Sequence, residues 1–345
     1  MGFLFRLIAV GCFVSAMGGC IAPNATSVQE ASDPENQWNS DNLTTHIVQF
    51  NSVEMEGRET GTRGFLRAAT YVSSELEKVG LQPIQGKSYR HQYASRIMVL
   101  APAVINLIGR DSLRLVQGDD YLVGHKDGVA EILYSPRVTD LVTNRGYLVR
   151  PNVVSTETVT TSTVHISGFI PGRLPVRRDS LILILAALDG QGRQGVSSYT
   201  DGSDLGVASA ALLETVRRIS RMQDTWSVLG PTILVSFVSG TLEDCQGPDS
   251  VLRSLQWKKS NVVRVIVLED SKIASCEWDK MLLEQGISAP ITILTASKAA
   301  TDKDASMMFY PLVRREKLIP LIGIPYLVQD AAMLAQKSLE LVMSH

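Results

Sequence analysis

From about residue 178 onward, apolar runs alternate with amphipathic ones. "DSLILILAAL" (Asp179–Leu188) is apolar at nearly every position, and so are "PTILVSFVSG" (Pro231–Gly240), "VVRVIVLED" (Val262–Asp270) and "APITILTAS" (Ala289–Ser297). Runs of this kind are strands covered on both faces, which is the signature of a parallel sheet inside an α/β domain. The segments between them carry helical spacing: about Leu205 to Met222, and a shorter one over "DSVLRSLQW" (Asp249–Trp257). "PLIGIPYLV" (Pro320–Val328) reads as a fifth strand and "DAAMLAQKSLELVMS" (Asp330–Ser344) as a C-terminal helix. Near the start, the folded region begins at about Asp41 with a helix and a turn-rich stretch. A second helix follows over about Gly64–Val79, with Gly80 placed to end it. The predicted fold class is α/β, a three-layer sandwich around a mostly parallel central sheet.

Two stretches depart from this alternation. "VINLIGR" (Val104–Arg110) reads as a strand, and residues 111–178 are rich in Val, Thr, Ser and Gly with short β-type runs: "AEILYS", "GYLVRPNVVS", "TSTVHISGFI". They predict a small β-rich insertion within the α/β domain of residues 41–345. The other departure is the N-terminus. "MGFLFRLIAVGCFVSAMGGC", residues 1–20, has one Arg, an apolar run too short to span a bilayer, and small residues before Cys20. It reads as a secretory signal whose end resembles a bacterial lipobox, with Cys20 as the lipidation site. Residues 21–40 lack apolar periodicity and read as a flexible tether. The expectation is an exported protein, lipid-anchored in the bacterial cell envelope and facing the periplasm.

The chain has 345 residues, 45% hydrophobic and 20% charged, with a formal net charge of −2. That balance, with no basic stripe, speaks against nucleic acid as a partner. After Cys20 only Cys245 and Cys276 remain, and in an oxidising compartment they form a possible disulfide.

Carboxylates cluster after three successive apolar strands: Asp189 after the first, Glu243 and Asp244 after the second, Glu269 and Asp270 after the third. Asp204 stands in the loop before the intervening helix. Strand ends of a parallel sheet converge on one rim, where ligands bind. Carboxylates brought together there repel unless a cation or protons compensate, which makes a metal site one reading. The other is that each caps a helix or sits in a solvated loop.

These residues carry a resemblance. "EGRETGTRGFLRAATYVSSELEKVGLQP" (Glu56–Pro83) is similar to the N-terminal pattern of the zinc aminopeptidase family of clan MH, which also holds glutamate carboxypeptidase and nicastrin. "DLGVASAALLETVRRI" (Asp204–Ile219) is similar to its D-D-x-x-S-G-x-A-A-L-L-E helix. "ILVSFVSGTLED" (Ile233–Asp244) is similar to its strand ending in G-A-E-E, and "VVRVIVLED" to its strand ending in N-x-D. The resemblance covers about residues 44–110 and 178–345, with the insertion where many members carry an extra β domain.

The resemblance implies two zinc ions bridged by Asp204, Glu243 as general base on the bridging water, and Asp244 and Glu269 as acidic ligands, with Asp270 adjacent. Asp189 matches the aspartate that orients the first histidine ligand. That ligand is missing, because Ala187 occupies its position in "AALDG". The region of the second histidine ligand offers only His345, the final residue. His46, His91, His125 and His165 lie outside the ligand positions, although His125 could approach from the insertion. Cys245, directly after Asp244, is a conceivable soft ligand. Zinc favours nitrogen and sulfur donors, whereas an all-carboxylate set suits harder divalent cations. The chain thus resembles an aminopeptidase relative that lacks both histidine ligands. It reads as a pseudopeptidase that binds a peptide or protein partner, with no cofactor expected. The alternative is an active metallo-aminopeptidase using zinc or another divalent cation, with Glu243 as base.

Overall fold

The structure is a computed structural model. It describes residues 39–100, 105–117, 119–126, 129–151, 156–172, 177, 179–190, 192–194, 197–198, 206–222, 230–241, 245–270, 276–295 and 324–344. Cys20, the tether up to residue 38, Asp204, Glu243, Asp244 and His345 lie outside the described residues, as does the side chain of His125.

Helix α1 (Ser40–Phe50) opens the fold, so the last two residues of the expected tether belong to it: Asn39 caps α1 by accepting from the amides of Asp41 and Asn42. A short 3₁₀ stretch, Val53–Arg58, leads to α2 (Arg63–Lys78), whose first turn is closed by the Thr62 hydroxyl accepting from Phe65 N. Two residues of β1 (Gln82–Pro83) and the long β2 (Arg90–Leu100) follow. Both pair antiparallel with β8 (Thr156–Ile170).

The alternating half of the chain builds the rest of the central sheet. Strands β9 (Leu181–Ala187), β12 (Thr232–Val238), β13 (Val262–Glu269) and β14 (Ile291–Thr295) are mutually parallel in the order β12-β9-β13-β14, and β8 joins β12 antiparallel. Between β9 and α4 (Val207–Arg221), β10 (Arg193–Gln194) and β11 (Ser197–Ser198) pair antiparallel outside this sheet. Strand β9 shows why both faces had to be apolar. Ile182, Ile184 and Ala186 enter one core with α1, α2, α4 (Val207–Arg221) and α7 (Ile324–Met343). Leu181, Leu183 and Leu185 enter the opposite core with α5 (Gln246–Arg253) and α6 (Trp278–Glu284). Side chains alternate across a strand, so one unbroken apolar run supplies both cores of a three-layer sandwich.

The insertion has a third, separate core of Ile105, Leu107, Leu115, Tyr121 and Val138. Strands β3 (Ile105–Ile108), β4 (Ser112–Arg114) and β7 (Leu148–Pro151) form an antiparallel sheet in the order β4-β3-β7. Strands β5 (Tyr121–Lys126) and β6 (Val129–Tyr134) form a hairpin, and α3 (Pro136–Arg145) lies between β6 and β7. Two sequence boundaries shift. The stretch around Ile105 belongs to the insertion, and "TSTVHISGFI" belongs to β8 of the central sheet. Val-Thr runs have the same composition in either sheet; pairing partners decide membership, and composition does not encode those. The second correction is at the C-terminus. Ile324–Val328, read as part of a strand, lie in α7, where the apolar residues Tyr326–Val328 continue directly into the helical pattern of residues 330–344.

Candidate active site

The rim at the carboxyl ends of the parallel strands is assembled from four loops, and its organising residue is Asp189. The carboxylate is 5% exposed. It accepts from the Thr60 hydroxyl at 3.0 Å, from Thr241 N at 2.9 Å and from the Thr241 hydroxyl at 2.7 Å. The Thr60 oxygen in turn accepts from Gly240 N at 2.9 Å. Burial pushes the Asp189 carboxyl above its ordinary range, and the Thr241 and Thr60 bonds work against that shift. Asp189 therefore ties the loop after α1 to the ends of β9 and β12.

The loop bearing Thr60 reaches the rim through an unusual backbone. Glu56, Gly57 and Arg58 all have positive φ, at 47°, 71° and 57°. Non-glycine residues are held there only when their surroundings fix them. Arg58 supplies the fixation: it is 1% exposed, and its guanidinium donates to the carbonyls of Leu188 (3.0 Å) and Phe50. At Gly57 a Cβ would lie 2.3 Å from the Gly192 carbonyl oxygen, so the two loops touch only because both positions are glycine. Glu59 lies against Gly192, and burial pushes its carboxyl up to about 7.

Ala187 ends β9. Its carbonyl accepts from the Ser209 hydroxyl at 2.6 Å, and its methyl group has no donor atom to offer a metal. Glu269, at the end of β13, accepts from Trp278 Nε1 at 3.0 Å; burial raises its carboxyl and the Trp278 bond opposes the rise. Asp270 points across to α4. It accepts from Gly206 N at 2.7 Å and from Ala208 N. Gly206, the N-cap residue of α4, has no side chain to do this, so a carboxylate 64 residues away satisfies the first turn and meets the positive end of the helix dipole. Burial raises the Asp270 carboxyl, against the amides of Ala208, Gly206 and Val207 and the charge of Arg58. Helix capping, one of the two readings of these acids, is what Asp270 does.

Cys245 and Cys276 are joined, S–S 2.05 Å, linking the loop after β12 to the loop after β13. That bond removes Cys245 as a thiolate ligand. Three histidines are engaged away from these carboxylates. His46 Nδ1 is 2.6 Å from the Tyr71 hydroxyl, and His91 stacks on His165 with ring centroids 5.3 Å apart. Burial, and then the charge of His91, pushes His165 down to about 3. Among the described residues no three His, Cys, Asp or Glu side chains are grouped so as to hold a metal ion.

Residue reasoning placed Asp189, Glu269 and Asp270 on the rim, but it missed Thr60, Thr241 and Trp278, the donors that hold Asp189 and Glu269. Thr60 lies within the E-G-R-x-T-G pattern, which was the available signal; Thr241 and Trp278 carried none.

The architecture matches solved structures. The zinc aminopeptidase BSAP from Bacillus subtilis superposes with a TM-score of 0.51 at 11% identity, over 89% of this chain and 95% of that one. The M28 peptidase precursor from Shewanella amazonensis SB2B superposes with a TM-score of 0.50 at 13% identity, over 88% and 94%. The fold is that of the zinc aminopeptidases. The resemblance found in four short motifs is thus matched by an aminopeptidase fold across most of the chain, at an identity that speaks for the fold alone. No family model matches the chain, and no curated protein does.

Proposed function

We propose that this chain is an exported, lipid-anchored protein of aminopeptidase fold that binds a peptide or protein partner without cleaving it. The observation that carries the reading is at Ala187 and Asp189. Where the resemblance implies a histidine held by an aspartate, there is a methyl group, and the aspartate is fully engaged by Thr60 and Thr241. Asp270 is likewise engaged, as the cap of α4. The described donors do not fit a zinc centre. Zinc sites that activate water have nitrogen or sulfur donors and an open position, and at the rim the described candidates are carboxyl groups that each already accept hydrogen bonds. The signal-like residues 1–20 and Cys20 support export and anchoring.

The test is zinc content and affinity of the purified chain from residue 21 onward, with peptide binding measured alongside. The expected result is a folded protein that binds zinc no tighter than millimolar and shows no turnover of aminoacyl substrates. Near-stoichiometric zinc at micromolar affinity, with turnover abolished by Glu243→Gln, would establish the metallo-aminopeptidase instead.

A further inference from the structure

The insertion's three-stranded sheet has one face on its own core and one face on solvent. Ile105, Leu107 and Leu115 are buried, so the residues alternating with them point outward. The strand register arranges those outward residues in two rows. Arg114, Asn106 and Arg150 lie side by side across β4, β3 and β7, and Ser112, Ile108 and Leu148 form the next row. Leu148 is 71% exposed and Ile108 36%, and they are direct cross-strand neighbours; Val116, just past β4, is 50% exposed. Neither row contains an acidic residue. Arg137 and Arg145 on α3 pair with Asp120 and Asp140. Among the described residues Arg114 and Arg150 have no carboxylate within ion-pair distance.

We propose that this face is a docking surface for a protein partner that presents carboxylates around an apolar side chain. The proposal deepens the partner-binding reading above, and rests on it, by naming where the partner sits and what its surface carries. An exposed apolar pair flanked by guanidinium groups has the make-up of an interface centre, where Arg and large apolar groups are enriched and Lys is depleted. The charge decides the occupant. A second copy of this chain would bring two arginines against two arginines in a two-fold contact, which like-charge repulsion disfavours. An anionic bilayer attracts clusters of roughly four to eight basic residues, and this face has two. An acidic protein surface satisfies both guanidinium groups, bidentately where its carboxylates are fixed, and covers Ile108 and Leu148.

The experiment uses the full-length chain in cells that produce it, with a photo-crosslinking benzoylphenylalanine in place of Leu148 and, separately, in place of the equally exposed Leu283 on α6. The expected result is one discrete protein adduct at 148 and none at 283. Its crosslinked peptide, read by mass spectrometry, carries Asp or Glu. The purified partner should bind the full chain at least tenfold more weakly after Arg114→Glu with Arg150→Glu, and an acid-to-Arg swap in the crosslinked peptide should restore binding to that variant. Thermal unfolding of the variant should match the parent, because both arginines are exposed. No adduct, equal adducts at 148 and 283, a lipid adduct, an adduct with a second copy of the chain, or binding indifferent to charge reversal each overturns the proposal. Those outcomes leave peptide binding at the rim standing, so failure of this face and failure of the partner-binding reading are distinguishable.

Discussion

Breaking the Cys245–Cys276 bond tests how the rim is held. The two cysteines are 31 residues apart in sequence, so the bond closes a loop of moderate length in the unfolded chain. The chain entropy removed by closing such a loop is about 12 cal/mol/K, equivalent to about 3.7 kcal/mol at 25 °C. Removing the bond returns that entropy to the unfolded state and destabilises the fold by a similar amount. Unfolding entropies scale with size, at about 2.1 cal/mol/K per residue, so for a domain of about 300 residues the expected fall in Tm is about 6 °C. Differential scanning calorimetry of the oxidised protein, the reduced protein and a Cys245→Ser/Cys276→Ser variant measures it. The reduced protein isolates the entropic effect; the variant adds the loss of Cys276, which is 6% exposed within the core shared by α5 and α6. A reduced protein that melts within 1 °C of the oxidised one, or thiol titration that finds both cysteines free in the denatured unreduced chain, would refute the reasoning.

Two further predictions separate structural roles from ligand roles. Asp270→Ala strips α4 of its only described carboxylate cap and should cost about 1–2 kcal/mol in urea unfolding; if Asp270 served instead as a metal ligand, stability in chelator would hardly change. His165 has a folded-state pKa pushed down from 6.5 to about 3, so its contribution to stability is complete above pH 6.5 and is lost as pH falls toward 3. Below pH 6.5 the parent should therefore lose stability more steeply than His165→Phe, by up to about 1.4 kcal/mol per pH unit, in urea midpoints measured from pH 7 to pH 4.5.

The central sheet was legible because burial on both faces leaves its mark in nearly every residue of β9 and β12 and in Val265–Leu268 of β13. The insertion's edges were not, because Val, Thr and Ser serve equally in β8, with its His165 and Ser167 in the core sheet, and in a peripheral hairpin. Pro320–Val328 misled for a related reason: a short apolar run has no period of its own, and Ile324–Val328 became helix by continuing into Asp330–Ser344. At the rim, sequence order placed Asp189, Glu269 and Asp270 together, since strand ends of a parallel sheet converge. What each acid does depends on partners far away in sequence, Thr60 for Asp189 and Gly206 for Asp270. Spacing along the chain carries no trace of such contacts. At Ala187 the resemblance implies a histidine, and reading a methyl group there needs no geometry.

Strands β2 and β8 remain paired up to Leu100 opposite Thr156, the residues on either side of everything the insertion contains. Paired residues on antiparallel strands sit about 5 Å apart. The chain thus leaves the aminopeptidase core and returns to it at one point, so the segment between behaves as a cassette. It can be exchanged, lengthened or cut down to a two-residue turn without reopening the central sheet, so its length and surface can vary while the fold beneath stays fixed.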